Sequence, residues 1–126
     1  MSIGLIKTYF AIIKHNMSAQ KIVLSGVKPT GIVHIGNYFG AMKQFVDLQS
    51  EYRNFIMIAD LHALTSVTDP KVLREDTLGV AMDYLAIGLD PEQVTIFRQS
   101  DVPAHTELAW IFNCLTTMPY LMRAHA

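Results

Sequence analysis

Residues 21–31, KIVLSGVKPTG, join a short apolar run to a loop rich in glycine and proline. The run from Lys21 to Ser25 has the length and the β-branched content of a buried strand. The loop from Gly26 to Gly31 has turn chemistry. After it, apolar residues recur at three- and four-residue intervals and predict a helix with one apolar stripe of Tyr38, Ala41, Met42, Phe45 and Leu48.

The same alternation continues along the chain. Residues 55–60 predict a second strand and residues 94–98 a third. Between them, Asp69 and Pro70 predict a helix start, because a carboxylate accepts first-turn amides and proline fits the first helical position. Gly88 can take the left-handed backbone conformation that ends a helix. We expect this helix to bury Leu73, Val80, Ala81, Tyr84 and Leu85.

A last helix is predicted to begin at Ser100 or Asp101 with Pro103 and to end at Met118-Pro119. Its apolar stripe is Leu108, Ile111, Phe112 and Leu115, and we expect Trp110, Phe112 and the methionines in the core. Strands separated by helices of this length pair in parallel through right-handed crossovers. The predicted fold class is therefore α/β, a Rossmann-like parallel sheet with flanking helices, with ligands beyond the carboxyl ends of its strands.

Composition limits the classes of protein that the chain can belong to. Its 126 residues, 51% hydrophobic and 17% charged, suit one domain and exclude disorder and a coiled coil. The sequence has no run of about 18 uncharged apolar residues, so we expect no membrane span. The single cysteine, Cys114, cannot close a disulfide within the chain, so we expect a reducing, cytoplasmic setting.

Charge is unevenly distributed. Ten basic side chains nearly balance eleven acidic ones, but all five lysines before Asp47 stand without an acid. Either the first third favours an anion or the distribution is chance among solvated lysines.

Residues 1–20 precede the predicted fold. They are apolar, basic and free of acids. An amphipathic helix, a transit-like segment and an extension before a functional start at Met17 all fit, and we favour a non-catalytic extension.

Polar residues follow each predicted strand, within residues 25–37, 60–62 and 99–101. Gly26, Gly31 and Gly36 let a backbone approach a ligand, and unpaired amides at a helix terminus favour a phosphate. The P-loop pattern fails, because Ile32-Val33 stand where lysine and a hydroxyl residue are required, and the dinucleotide fingerprint is absent. The spacing of His34, His62 and His105 does not argue for zinc, so we expect no metal ligands.

Residues 25–41, SGVKPTGIVHIGNYFGA, resemble the HIGH-type signature of class I aminoacyl-tRNA synthetases, in the form typical of the tryptophan-specific members. The similarity continues through residues 60–65, DLHALT, and 99–105, QSDVPAH. By this resemblance, residues 21–126 are the N-terminal portion of the catalytic domain.

The resemblance implies ATP-dependent activation of tryptophan to tryptophanyl-adenylate and transfer to tRNA(Trp), with Mg²⁺ held mainly by the ATP phosphates. It places His34 and Asn37 in catalysis. It implies ATP-binding roles for Lys28, Pro29, Thr30, Gly36 and Asn37, and a tryptophan pocket with Leu24, Gly26 and His62. His105 is expected at a cap or on the surface, and Asp60 either caps a turn or meets a ligand.

Members of that family continue into the second half of the sheet, a Lys-Met-Ser-Lys-Ser-type loop and an anticodon-reading domain, and act as homodimers. We therefore expect this chain by itself to be weak or inactive, with tRNA contacts mostly elsewhere. The first strand is expected to be an unpaired edge that promotes self-association.

Three alternatives stay open. They are activation of tyrosine within the same family, another nucleotidyltransferase with a related histidine motif, and a non-enzymatic form that binds a partner through its open sheet edge.

Overall fold

The computed structural model describes residues 21–123, and there the predicted alternation of strands and helices is confirmed. The strands are β1 (Ile22–Val27), β2 (Arg53–Ile58) and β3 (Val94–Arg98). The helices are α1 (Ile35–Asn37), α2 (Lys43–Leu48), α3 (Asp60–Ala63), α4 (Pro70–Ala86), α5 (Ala104–Leu115) and α6 (Met118–Leu121). A π-helical turn, Tyr38–Met42, joins α1 to α2, and a 3-10 turn, Gln99–Asp101, follows β3. The interpretation of residues 1–20 as an extension lies outside the described residues.

The three strands form one parallel sheet in the order β1-β2-β3. Val23 of β1 pairs with Asn54 of β2, and Asn54 pairs with Val94 of β3. Because all three strands run the same way, their carboxyl ends meet at one edge. This is the Rossmann-like arrangement predicted from the sequence.

The core lies between the helices and one face of the sheet. Ile56 of β2 forms a buried cluster with Phe45 of α2 and with Val80 and Tyr84 of α4. The rings of Phe45 and Tyr84 meet edge to face, with centroids 6.1 Å apart. The Tyr84 hydroxyl donates to the carbonyl oxygen of Met57 at 3.2 Å, and burial raises the pKa of Tyr84 above its usual value. Helix α4 is thereby attached to the central strand.

The opposite face of the sheet has no covering helix within residues 21–123. Ile22 and Leu24 are 54% and 62% exposed there, while Phe55 and Met57 of β2 are half-buried. The prediction of a buried first strand is therefore wrong for this face. The apolar run correctly identified a strand, but only alternate residues of an edge strand reach the covered side.

Helix α4 begins and ends as predicted. The Asp69 carboxylate accepts from the Lys71 amide at 2.7 Å, and Gly88 takes the left-handed conformation with φ of 102°. Val80 and Tyr84 are buried, but Leu85 is 51% exposed, which corrects its predicted inward position. Leu85 lies about 100° further round the helix than Tyr84, beyond the stripe that faces the sheet.

Helix α5 has the predicted apolar stripe but does not bury it against the described residues. Leu108, Ile111, Phe112 and Leu115 are 51–74% exposed and Trp110 is 70% exposed, so the prediction that they lie in a core is wrong within residues 21–123. Among the methionines, Met42 is buried, whereas those at positions 82, 118 and 122 are exposed. Periodicity shows which side chains share a face and does not show what covers that face.

The ends of α5 also differ from the prediction. The helix is preceded by Pro103 without a side-chain cap from Ser100 or Asp101, and it ends at Leu115. Pro119 lies in the first turn of α6. No helix of the described part of the chain is long and apolar enough to cross a membrane.

Candidate functional site

Hydrogen bonds join the segments that follow the three strands. Asp60, after β2, accepts from the Ser100 amide at 2.9 Å and from the Ser100 hydroxyl at 2.5 Å. It also accepts from the Leu61 amide at 3.0 Å. Both carboxylate oxygens of Asp60 therefore have partners within the chain. Of its two predicted roles, capping a turn and meeting a ligand, these contacts fit the first.

His34 and Asn37 form a closed arrangement around the start of α1. The His34 Nδ1 atom accepts from the Gly36 amide at 3.1 Å, and the Asn37 Oδ1 atom accepts from the His34 amide at 3.1 Å. Because Nδ1 is an acceptor, the proton of the neutral imidazole is assigned to Nε2. Within residues 21–123, no hydrogen bond engages the His34 Nε2–H group or the Asn37 side-chain NH₂ group, so both can donate to the oxygen of a ligand.

Gly36 provides the space that this arrangement requires. A Cβ atom at position 36 would lie 3.0 Å from Cε1 and 3.1 Å from Nδ1 of His34. Any larger residue must displace the imidazole ring. Gly36 therefore lies beside the predicted catalytic residues His34 and Asn37, and its lack of a side chain allows the His34 ring to take this position.

The loop after β1 is held by α4. Pro29 is fully buried, and Gly31 adopts a φ of 89°, where a side chain is strained. The Gly31 amide donates to the Asp76 carboxylate of α4 at 2.9 Å. Thr30 is exposed between these two anchored residues. The predicted ATP-binding loop is thus anchored at Pro29 and Gly31, and Thr30 between them is exposed to solvent.

The partners of the loop amides correct one part of the sequence interpretation. The sequence predicts unpaired amides at the helix terminus, but the amides of Gly31 and Gly36 donate to Asp76 and to His34. Gly26 lies within β1, and a Cβ atom there would come within 2.2 Å of the carbonyl oxygen of Met57. Close strand contact, and not ligand approach, is what requires glycine at this position. At positions 31 and 36, the backbone amides are therefore already paired within the chain.

Lys28 and His62 are linked through Thr65. The Lys28 Nζ atom donates to Thr65 Oγ1 at 2.9 Å, and Thr65 Oγ1 donates to the His62 carbonyl oxygen at 2.9 Å. The His62 amide donates to Gln99 Oε1 at 3.0 Å, while the His62 residue itself is exposed. The predicted ATP-binding and tryptophan-pocket residues therefore lie at the same sheet edge.

Leu24 belongs to a different part of the surface. It pairs in register with Phe55, and Gly26 pairs with Met57, on the uncovered face of the sheet. None of the hydrogen bonds described above places Leu24 against His62. A common pocket for Leu24, Gly26 and His62 stays a prediction.

Sequence reasoning missed three residues that hold the site. Thr65 lies within the quoted DLHALT segment, and Gln99 begins the quoted QSDVPAH segment, so both were near a recognised signal. Asp76 stands 45 residues from Gly31 on a separate helix, and no local pattern indicates their contact. His105 is half-buried with Nδ1 3.3 Å from the Gln99 carbonyl oxygen, in agreement with a structural role.

Two clefts flank these residues and differ in charge. One, of about 270 Å³, lies beside Gly31 and is lined by the carboxylates of Glu75, Asp76 and Asp83. Such a lining disfavours an anion. The other, of about 240 Å³, is lined by Asp60, Arg74 and Arg98, and Arg98 pairs with Asp101 at 2.6 Å, so the two arginines are balanced by two carboxylates.

The hydrogen bonds from Arg98 lower the pKa of Asp101 below its usual value, so this ion pair stays charged to a lower pH than a free aspartate would allow. Within residues 21–123, no group of three or more histidine, cysteine, aspartate or glutamate side chains is placed to hold a metal ion.

Comparison with known proteins gives a consistent result. The family model for class I tRNA synthetases (W and Y) matches residues 16–126. The tryptophan–tRNA ligase of Fusobacterium nucleatum subsp. nucleatum is 57% identical over 107 residues, which are 85% of this chain and 33% of that protein. The corresponding ligase of Rhodopirellula baltica is 54% identical over 104 residues, covering 82% of this chain and 32% of that protein.

A solved structure also matches. The tryptophanyl-tRNA synthetase of Campylobacter jejuni, complexed with ADP and tryptophan, aligns with a TM-score of 0.75 and 45% identity, over 82% of this chain and 33% of that one. The chain spans about a third of the length of the relatives that it matches.

Proposed function

Because the chain belongs to the class I tRNA synthetases of the tryptophan and tyrosine group, we propose that it is the ATP-binding part of a tryptophan–tRNA ligase. The capped segment from His34 to Asn37 carries the proposal, since its internal hydrogen bonds use His34 Nδ1 and Asn37 Oδ1 as acceptors and do not use the His34 Nε2–H and Asn37 NH₂ groups. Identity of 57% to a tryptophan–tRNA ligase favours tryptophan over tyrosine as the amino acid.

The proposed reaction activates tryptophan. A carboxylate oxygen of tryptophan attacks the α-phosphorus of ATP, and the bond from that phosphorus to the bridging oxygen breaks. Pyrophosphate leaves with the electron pair, and the products are tryptophanyl-adenylate and pyrophosphate. Negative charge develops on the α-phosphate oxygens and the leaving group, so preorganised donors lower the barrier.

The side chains of the loop and of α1 would supply these donors. We assign His34 Nε2–H, the Asn37 side-chain amide, the Lys28 ammonium and the Thr30 hydroxyl to the ATP phosphates and ribose. Pro29 and Gly36 act indirectly: buried Pro29 holds the loop, and Gly36 leaves room for the His34 ring. Mg²⁺ would arrive on the phosphates and would neutralise part of their charge.

The remaining assignments complete the proposal. Leu24, Gly26 and His62 border the tryptophan. In the second step, which we place in the cytoplasm, a hydroxyl of the terminal ribose of tRNA(Trp) attacks the acyl carbon of the adenylate, and AMP leaves with the electron pair of the broken bond. A homodimer is proposed for the complete ligase. Residues 21–126 would form the first part of its catalytic domain, with residues 1–20 as a non-catalytic extension.

The function can be tested in a chimera. Residues 21–123 of this chain replace the aligned segment of the Fusobacterium nucleatum ligase, and exchange of labelled pyrophosphate into ATP is measured with tryptophan, with tyrosine and without amino acid. We expect exchange that depends on tryptophan. Replacing His34 by Ala in the chimera should lower kcat by about 10²-fold, the effect of removing one transition-state donor.

Other outcomes would identify the alternatives. Pyrophosphate exchange that depends on tyrosine would mean that tyrosine, and not tryptophan, is the amino acid activated. Exchange without any amino acid would indicate another nucleotidyltransferase. A folded chimera without exchange would contradict the proposal and would favour the non-enzymatic, partner-binding form.

A further inference from the structure

A chain of hydrogen bonds crosses the carboxyl ends of all three strands. It runs from Lys28, after β1, through Thr65 to the backbone of His62, after β2, and on to Gln99, after β3. The three distances are 2.9, 2.9 and 3.0 Å. The Thr65 hydroxyl contacts both Lys28 and His62.

The chemistry of the groups fixes the direction of each bond. An ammonium can only donate, so Thr65 Oγ1 must accept from Lys28. The hydroxyl has a single proton, which is then directed to the His62 carbonyl oxygen. Valine at position 65 would have neither function, whereas serine would keep both.

We propose that Thr65 is a positioning residue, which holds the Lys28 ammonium in place for the phosphates of ATP and joins it to the backbone beside the tryptophan pocket. This inference rests on the proposed function. An ammonium on a four-carbon side chain samples many rotamers when it is free. An anchor at one of its three N–H groups restricts these rotamers and leaves two N–H groups for phosphate oxygens.

The hydrogen bond between Lys28 and Thr65 is better suited to positioning the Lys28 side chain than to stabilising the fold. Thr65 is exposed, and its bond to Lys28 joins residues 37 positions apart on the surface. Exposed contacts of charged groups contribute little to folding. Loss of the contact should therefore alter recognition of the triphosphate and leave the fold intact.

Calorimetric titration of the 126-residue chain with ATP and with adenosine tests the inference. Wild type should bind ATP more tightly than adenosine. Thr65→Val should raise the Kd for ATP about tenfold, the loss of one charge-assisted hydrogen bond, and should change the Kd for adenosine less than about twofold. Thr65→Ser should restore the Kd for ATP to within about twofold of wild type, because it keeps the hydroxyl.

Two further variants sharpen the result. Ser66→Ala, at the adjacent exposed residue, should leave both Kd values unchanged. Lys28→Met should weaken ATP binding at least as much as Thr65→Val does, and the double variant should be no weaker than Lys28→Met, because Thr65 acts through the Lys28 ammonium.

The two proposals fail differently. A wild-type chain that binds ATP no more tightly than adenosine overturns the proposed function and the role of Thr65 with it. If wild type prefers ATP but Thr65→Val binds it normally, weakens adenosine equally or is not rescued by serine, only the role of Thr65 is overturned.

Discussion

At the scale of single residues, the imidazole of His34 has two tasks. One ring nitrogen accepts the Gly36 amide at 3.1 Å, and the other is left as a donor. The cap therefore sets both the tautomer and the direction of the proposed catalytic group. The side chain that holds the start of the helix is also the one proposed to meet the phosphate.

Gly36→Ala tests this coupling. The added Cβ atom would lie 3.0 Å from the His34 ring, so the ring must shift. Since small misplacement of a catalytic group is costly, we expect the Kd for ATP to rise about tenfold, together with changed NMR shifts of the His34 ring.

Gly40→Ala is the matched control. A Cβ atom at position 40 meets nothing within 4 Å, so ATP binding should be unchanged. The free energy of unfolding should rise by up to about 1 kcal/mol, because alanine favours helical backbone. Unchanged His34 shifts in Gly36→Ala would contradict the proposed coupling.

Asp76→Ala tests the anchor of the ATP-binding loop. The Gly31 amide loses its acceptor, and we expect its hydrogen exchange to accelerate and the free energy of unfolding to fall by about 1–2 kcal/mol, the value of a hydrogen bond to a charged group. Glu75→Ala, at the exposed neighbouring carboxylate, should change neither quantity. If Gly31 stayed protected in Asp76→Ala, the carboxylate would not be its anchor.

The grouping of site residues could be predicted from the sequence only where those residues are close together along the chain. The positions of His34, Gly36 and Asn37 lie within one quoted motif, and the structure brings them together. The acceptor of the Gly31 amide lies on another helix, so its pairing depends on how the chain folds back on itself. For that reason the pairing of the Gly31 amide with Asp76 was not predicted.

At the scale of elements, the ends of α4 were more predictable than the surroundings of the helices. An aspartate before a proline and a glycine in the left-handed conformation are local signals, and both limits of α4 agree with them. The stripe of α5 is equally clear in the sequence, yet it is exposed. Burial depends on a second element that periodicity does not specify.

The N-terminal cap of α4 gives a measurable prediction. Asp69→Ala should lower the free energy of unfolding by about 1 kcal/mol in urea titrations, because the Lys71 amide loses its acceptor. Asp69→Asn keeps an acceptor oxygen and should have less than half of that effect. Equal stability of Asp69→Ala and wild type would mean that the 2.7 Å contact does not stabilise the helix.

At the scale of the whole molecule, the sheet has an open edge at β1 and one face without a helix in the described part of the chain. An unpaired strand with exposed apolar side chains is a template for association. Alternation of strands and helices sufficed to predict a parallel sheet. Which face is covered could not be read from the apolar run of β1.

Ile22→Lys should shift the chain toward the monomer in sedimentation experiments, because it places a charge on the exposed edge strand, where Ile22 is 54% exposed. Wild type should associate as its concentration rises. Val72→Lys, on α4 and 42% exposed, should associate as wild type does. Equal association of all three proteins would exclude β1 as the contact.

The bond between Gly31 and Asp76 has a consequence for biosynthesis. Its two partners are separated by 45 residues, so a nascent chain lacks the acceptor when the glycine leaves the ribosome. At about 5–20 residues per second, translation adds the intervening segment in roughly 2–9 s. During this interval the turn has no anchor, and a ribosome that pauses before codon 76 prolongs the period in which it is open to proteases and chaperones.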